Sequence, residues 1–392
     1  MKMKLLIIHP IDSGSAKFGG IESFIRQMIS VTPNDFDIEI VGLALAGDNL
    51  VVGKWAQLSM FGRQVNFFPA MRVSNPNKRT FIPLTFKFTL SLLRWNWKIR
   101  TNQKILLFHR IEPALAFYRN NGINILFSHG DVRNFENEFC ESRWKMMVGA
   151  YYYFESKLMK IFKRVFVVSQ SGCDYYNQKY PNCAQKFKFY IMGYNSEIFY
   201  VRSAEERNRI KLRYNFSRPI ILFVGRLEYP KDPLLLIDTF SLIKKRYEGA
   251  KLIIIGEGSF YERILNSVRE KNLLDDVILL GQKSSIEIAE LMNISDLLLM
   301  TSAFEGMPIV SMEALACGLP VVSTDVGEIG LIIKNSESGV IVKSRSPDDI
   351  SKAAVEIINN EHFPILSQES VSQYSQDKVL KIFFDEIKEF KK

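Results

Sequence analysis

Short, fully apolar runs recur along the whole chain, each separated from the next by a longer, more polar segment of helix length. One series reads Lys4–Ile8, Ile38–Leu43, Ile105–Phe108, Ile125–Phe127 and Val165–Val168. A second reads Ile220–Val224, Lys251–Ile255, Val277–Leu280, Leu297–Met300, Val321–Ser323 and Gly339–Val342. Runs without polar alternation suit strands covered on both faces, as in parallel sheets with helical crossovers. Two series in succession predict two doubly wound α/β domains, and 392 residues exceed what one core usually organises. The first domain is expected over 1–195 and the second over 196–376. A C-terminal helix over 377–392, apolar at Val379, Leu380, Phe383, Phe384 and Ile387, is expected to pack back on the first. The polar stretch Gly193–Pro219 joins the two, and Ser203 to Arg207 reads as an exposed helix start.

Composition narrows the classes. No stretch of about 18 apolar residues predicts a spanning helix, and the run Leu5–Ile8 is too short for a signal peptide. The four cysteines form no C-x-x-C pair and the four histidines lie far apart in the chain, so neither zinc nor a disulfide framework is expected. A reducing cytosol fits. The net charge of +9 is uneven: residues 1–200 carry 26 Lys/Arg against 14 Asp/Glu, residues 201–392 carry 25 against 28. The basic half predicts an anionic partner.

Ligands of open parallel sheets bind beyond the carboxyl ends of the strands, which picks out particular loops. After Val224 come Gly225, Arg226 and Lys231, then Asp232 as a helix N-cap and Pro233 in the first turn. Two cations beside a helix N-terminus suit a diphosphate, although two solvated surface cations read equally well from this loop alone. Gly256 and Gly258 follow the next strand, where a plain turn is the competing reading. After Leu297–Met300, the segment Ser302 to Gly318 places Glu305 before a helix opened by Pro308, and Glu313 within it among Ala, Met and Leu. A carboxylate there needs a partner, and sugar hydroxyls can provide one. In the first half, Gly19 and Gly20 open a helix, and His129 follows Ile125–Phe127, where it could meet a hydroxyl or move a proton; His109 is the weaker rival.

Together these residues resemble the retaining glycosyltransferases of family 4, which have the GT-B fold: two Rossmann-like domains facing each other across a cleft. Glu305-Gly306-Met307-Pro308 through Glu313 resembles the family's E-x7-E motif, and Val224-Gly225-Arg226-Leu227 with Lys231 its phosphate-binding segment. Gly19-Gly20 is similar to its glycine loop, Ser128-His129-Gly130 to its sugar-site histidine, and Gly193-Tyr194-Asn195 through Phe199 to its G-V-D…F signature, with Asn195 in place of the acid. The resemblance implies that Arg226 and Lys231 bind the donor diphosphate, that Glu305 holds the transferred sugar and that Glu313 holds the ribose. It further implies that Gly20 caps the phosphate, that His129 contacts the sugar near the reacting carbon, and that Gln282 and Lys283 lie near the base. Gly225, Gly256, Gly306, Met307, Pro308 and Ile309 complete the expected donor-binding set.

The expected activity is hexosyl transfer, with retention, from a nucleotide diphosphate sugar (uridine favoured over guanosine) to a saccharide or lipid-linked saccharide in surface-polysaccharide synthesis. Arg226, Lys231 and helix N-termini would stabilise the departing diphosphate without a metal or other cofactor. Between Lys78 and Lys104 there is no acidic residue, while Lys78, Arg79, Lys87, Arg94, Lys98 and Arg100 interleave with Phe81, Phe86, Phe88, Trp95 and Trp97. That mixture in a helix-like stretch suits an anionic bilayer rather than nucleic acid, and predicts a cytoplasmic protein peripheral on the inner face of the cell membrane. A polyprenyl-linked acceptor follows by analogy. The alternatives are a nucleotide-sugar 2-epimerase and a non-catalytic partner subunit on the same fold; the latter would not need Arg226, Lys231, Glu305 and Glu313 together.

Overall fold

The structure, a computed structural model, describes residues 2–14, 19–78, 80–129, 148–216, 218–334, 338–360 and 370–390. Arg79, Gly130 and Cys140 lie outside the described residues. The chain divides into two compact units, Met1–Tyr190 with Leu380–Lys392, and Ile191–Val379.

The first unit is built on β1 (Met3–Asp12), β2 (Phe36–Leu45), β3 (Ala56–Met60), β4 (Arg63–Val73), β5 (Lys104–Phe108), β6 (Ile123–Ser128), β7 (Phe162–Val167) and β8 (Phe187–Phe189). They form one sheet in the order β3-β4-β2-β1-β5-β6-β7-β8. The expectation of parallel strands alone is corrected here: β3 and β4 are an antiparallel hairpin, turned by Phe61 and Gly62, both at positive φ. Gln57, Ser59, Gln64 and Asn66 interrupt their apolar residues, so a search for unbroken apolar runs passes over them. On one face, α2 (Leu84–Trp95) buries Phe88 and Leu92 against Leu6, Ile8, Phe68 and Phe108. On the other lie α1 (Gly20–Val31), through Phe24, and the end of the C-terminal helix Gln376–Glu389. Phe383 meets Phe166 at 5.2 Å and Phe127 at 6.0 Å between ring centroids, and Phe384 meets Phe36 at 5.2 Å.

The second unit carries β9 (Ile220–Val224), β10 (Lys251–Ile255), β11 (Val277–Gly281), β12 (Leu297–Met300), β13 (Val321–Thr324) and β14 (Gly339–Val342). All pair in parallel, in the order β11-β10-β9-β12-β13-β14. The crossover helices Pro233–Arg246, Tyr261–Glu270 and Pro347–Asn359 bury Leu236, Phe240, Ile264, Ile350 and Ile357 against Phe223, Ile254 and Leu299. In each sheet the winding reverses once beside a central strand, between β1 and β5 and between β9 and β12. Neighbouring loops diverge there and leave room for a ligand.

The basic segment is only partly a surface. Lys104 is a strand residue, 7% exposed and ion-paired to Glu39 at 2.5 Å. Phe88 is buried, and the Trp95 indole N–H donates to the Ala70 carbonyl at 3.1 Å. These three therefore leave the proposed membrane face, because the sheet needs their apolar or paired sides. The rest stays outside: Phe81 and Trp97 are 87% and 74% exposed, and Phe86, Leu90 and Leu93 are exposed as well.

Phe383 is fully buried at the centre of an aromatic cluster. Phe383→Ala should lower stability by about 3–5 kcal/mol, the usual cost of such a cavity. The loss should appear as an earlier transition in calorimetry, and a midpoint within a degree of the parent would contradict this packing.

Candidate functional site

The two loops at the β9/β12 reversal are laced together by backbone and hydroxyl groups. The Ala303 N–H donates to the Pro230 carbonyl at 2.9 Å, and the Thr301 hydroxyl donates to the Asp232 carbonyl at 3.0 Å. Asp232 sits in the left-handed region at φ 41°, a conformation Asp tolerates better than most residues. Its carboxylate caps the helix Pro233–Arg246 by accepting from the Leu235 N–H at 3.2 Å, as its N-cap role requires. The same carboxylate accepts from Arg345 Nη2 at 2.5 Å, while Arg345 Nη1 donates to the Ser302 carbonyl at 2.6 Å. Arg345, from beyond β14, thus ties both loops down.

That frame aims the charges. Lys231 and Glu305 form a direct ion pair, and the Ser302 hydroxyl donates to the same Glu305 oxygen at 2.8 Å. Arg226 is exposed, and its guanidinium has no ion pair among the described residues. A methyl group at Gly225 would sit 3.3 Å from Lys231 Cε, so the glycine leaves room for the lysine stem. Gly256, at φ 140°, passes so close to Gly225 that any side chain would overlap the Gly225 carbonyl. The Gly256 N–H donates in turn to the Gly281 carbonyl at 2.8 Å. Gly225, Gly256 and Gly281 therefore line up at the carboxyl ends of β9, β10 and β11. Gln282 is exposed beyond them, and Lys283 pairs with Glu287 at 3.1 Å.

The helix Ile309–Ala316 begins one residue later than expected, with Pro308 as its N-cap rather than its first helical residue. Gly306 and Met307 precede it, with Met307 buried, and the Gly306 carbonyl accepts from the Glu328 N–H at 3.1 Å. Glu313 is half-buried, and its carboxylate makes no hydrogen bond to the described residues. Burial pushes its carboxyl up to about 7, against a pull downwards from Lys231. The structure thus brings Lys231, Glu305 and Glu313 into one neighbourhood and keeps Arg226 on the adjoining loop. In the joining segment, Asn195 keeps the turn an acid would make: its Oδ1 accepts from the Glu197 N–H at 2.9 Å.

In the first unit, three of the four histidines, far apart in sequence, come together. His9 in β1, His109 after β5 and His129 after β6 converge at the β1/β5 reversal. His109 Nδ1 lies 2.8 Å from His129 Nε2, and His9 Nε2 lies 3.1 Å from the Glu22 carboxylate. Burial, then His129 and His9, hold His109 well below its ordinary value. Burial, then His9 and Arg110, push His129 down to about 3, with Glu22 opposing. Both rings are therefore neutral. Gly19 caps α1, and a side chain there would overlap the Glu22 carboxylate; Gly20 is exposed with open space around it. His9, Glu22, Arg345 and the pairing role of His109 escape a reading of the sequence, because no local spacing links residues that meet only through sheet order.

Residues 204–378 match the family described as glycosyl transferases group 1. An uncharacterized glycosyltransferase of Methanocaldococcus jannaschii is 32% identical over 200 residues, covering 51% of this chain and 52% of the relative. The chain spans about half the length of the curated relatives it matches. Among solved structures, sucrose-phosphate synthase from Thermosynechococcus elongatus superimposes with a TM-score of 0.79 at 16% identity, over 99% of both chains. The Anabaena protein HepE, in complex with UDP and glucose, gives 0.75 at 16% identity, also over 99% of both chains. Such likeness shows the fold alone, a two-domain α/β fold with parallel sheets of the GT-B kind, in keeping with the sequence expectation.

The raised Glu313 carboxyl has a stability consequence. Its ordinary value is 4.5, so between about pH 4.5 and 7 the folded chain holds a proton that the unfolded chain has lost. Stability contributed by this group is present at low pH and lost as pH rises through 7. Relative to Glu313→Gln, the parent should melt at progressively lower temperature from pH 5 to pH 7 and change no further above that. A difference between the two proteins that does not change with pH would show that the carboxyl titrates normally.

Proposed function

We propose that this chain is a group 1 glycosyltransferase that moves a hexose-type sugar, with retention, from a nucleotide diphosphate donor to a saccharide or lipid-linked saccharide acceptor. The reading rests on one arrangement: an exposed Arg226, without an ion pair among the described residues, beside the Lys231–Glu305 pair, on the two loops that flank the β9/β12 reversal. Arg226 and Lys231 take the diphosphate, Glu305 and Glu313 take hydroxyls of the hexose and the ribose, and Gly225, Gly256, Gly306, Met307, Pro308 and Ile309 shape the backbone around them. Gln282 and Lys283 lie toward the base, Gly19 and Gly20 act on the phosphate, and His129 meets the sugar. A uridine donor gains support from the fold shared with HepE, which binds UDP and glucose.

In the reaction the bond between the anomeric carbon and the diphosphate oxygen breaks, and its electron pair leaves on that oxygen. The acceptor hydroxyl bonds to the anomeric carbon from the same face, and its proton passes to the departing phosphate oxygen. The charge growing on the diphosphate meets Arg226 and Lys231 already in place, so no metal is required for that step. When the donor arrives, Lys231 shares its charge between Glu305 and phosphate, and the pre-formed pair keeps both side chains positioned.

Arg226→Ala and Glu305→Ala should each lower transfer by about 10²–10³-fold while the proteins stay folded. Product analysis with and without acceptor checks this. Near-parent turnover in both variants would refute the assignment, and an epimerised free sugar formed without acceptor would favour a 2-epimerase.

The acceptor side is proposed to work at an anionic bilayer, on the inner face of the cell membrane. Support comes from Phe81, Phe86, Leu90, Leu93 and Trp97, exposed among Lys78, Lys87, Arg94, Lys98 and Arg100 with no acid between. No helix among the described residues is long and apolar enough to cross a membrane. Vesicles containing phosphatidylserine should recover the protein, recovery should fall as salt rises, and Phe81→Ser/Trp97→Ser should weaken it roughly tenfold. Equal recovery on neutral vesicles would remove this part of the reading.

A further inference from the structure

His109 lies 2% exposed just beyond β5, and its only hydrogen-bond partner among the described residues is His129. The 2.8 Å separation of His109 Nδ1 and His129 Nε2 demands one hydrogen between them: one ring donates and the other accepts. Two arrangements satisfy this. If His129 donates, the hydrogen of His109 sits on Nε2, which is buried without a partner. That places an orphaned N–H in a cage of Phe24, Phe127 and His9 rings, and buried donors are seldom left unmade. If His109 donates, its Nε2 is a bare nitrogen and no donor is orphaned. The second nitrogen of His129 is not among the buried atoms left without a partner in the described residues, and the residue as a whole is half-buried. A hydrogen on it can be met by solvent or substrate.

We infer that His109 is a positioning residue that donates its Nδ1–H to His129 Nε2, and so holds His129 in the tautomer whose Nδ1–H is offered as a hydrogen-bond donor. The ring is held in orientation too: His109, Phe127 and His129 stack with interplanar angles of 24–29°, and Phe24 closes the edge at 5.2 Å from His129. Resting on the reading that His129 meets the transferred sugar, this makes His129 a donor to a sugar oxygen and not a base that removes a proton. The acceptor's proton then has no route to this ring, which agrees with its passage to the departing phosphate.

The test combines a spectroscopic readout with turnover. In the protein labelled with ¹⁵N-histidine, assigned by loss of signals in His129→Asn, the His129 Nε2 and His109 Nε2 resonances should both be of the unprotonated type and both Nδ1 of the protonated type. A protonated His109 Nε2 would overturn the inference. His109→Phe keeps the ring and removes the donor, so His129 should become a mixture of tautomers and transfer should fall about tenfold, the worth of one hydrogen bond. His109→Asn, whose amide N–H lies near the position of Nδ1, should restore the His129 tautomer and most of the rate. An unchanged His129 tautomer in His109→Phe would overturn the inference whatever the rate. A shifted tautomer with unchanged transfer would support the positioning and instead remove His129 from the sugar. Should His109→Phe fail to fold, the labelled parent and His109→Asn still decide the question.

Discussion

The left-handed turn at Asp232 is the constraint on which the second unit's candidate site depends. A non-glycine residue at φ 41° is strained, and it persists because its surroundings over-determine it. Its carbonyl accepts from Thr301, its carboxylate caps the helix Pro233–Arg246 and accepts from Arg345. Releasing that turn would loosen Lys231, one residue earlier, and with it the ion pair to Glu305. A lysine and a glutamate on neighbouring surface loops would otherwise gain little from pairing, since each must lose side-chain freedom and compete with water. Here the hydroxyl of Ser302 and the clamp of Arg345 remove that freedom in advance.

The two units solve the same geometric problem with different chemistry. Each sheet reverses its winding beside a central strand, and each collects its polar side chains on the loops at that reversal. In the second unit the collection is charged and partly open, with Arg226 exposed and Glu313 half-buried. In the first it is mainly aromatic: three histidines among Phe24 and Phe127, with the Glu22 carboxylate beside His9 and burial as the main cause of the depressed basicity of His109 and His129. A charged pocket suits an anionic leaving group, and a neutral, oriented imidazole suits a hydroxyl. On the proposed function, Lys231 is held in advance by Glu305, which limits the reorganisation needed to meet negative charge on a departing group.

Legibility in the sequence followed the physics of each element. Continuous apolar strands such as Ile220–Val224, Lys251–Ile255 and Leu297–Met300 were read to their ends, because burial on both faces leaves an unbroken signature. The hairpin of β3 and β4 was missed, since one open face restores alternation and polar residues mask it. Asp232 and Ser203 were readable as caps because capping is local. The direction of individual side chains in the basic segment was not: Lys104 and Arg100 look alike in a charge count, yet Lys104 is buried against Glu39 from β2.

What the sequence alone determined is therefore everything that depends on neighbours in the chain: strand and helix identity, caps, glycine turns, and the residue types at strand ends. Strand order decided the rest. Only the placement of β1 between β2 and β5 brings His9, His109 and His129 into contact, and only the placement of β9 between β10 and β12 brings Lys231 to Glu305, with Arg345 behind them. Those meetings span tens to more than a hundred residues of chain, and their free energy comes from sheet packing rather than from any local preference, so no pattern along the sequence records them.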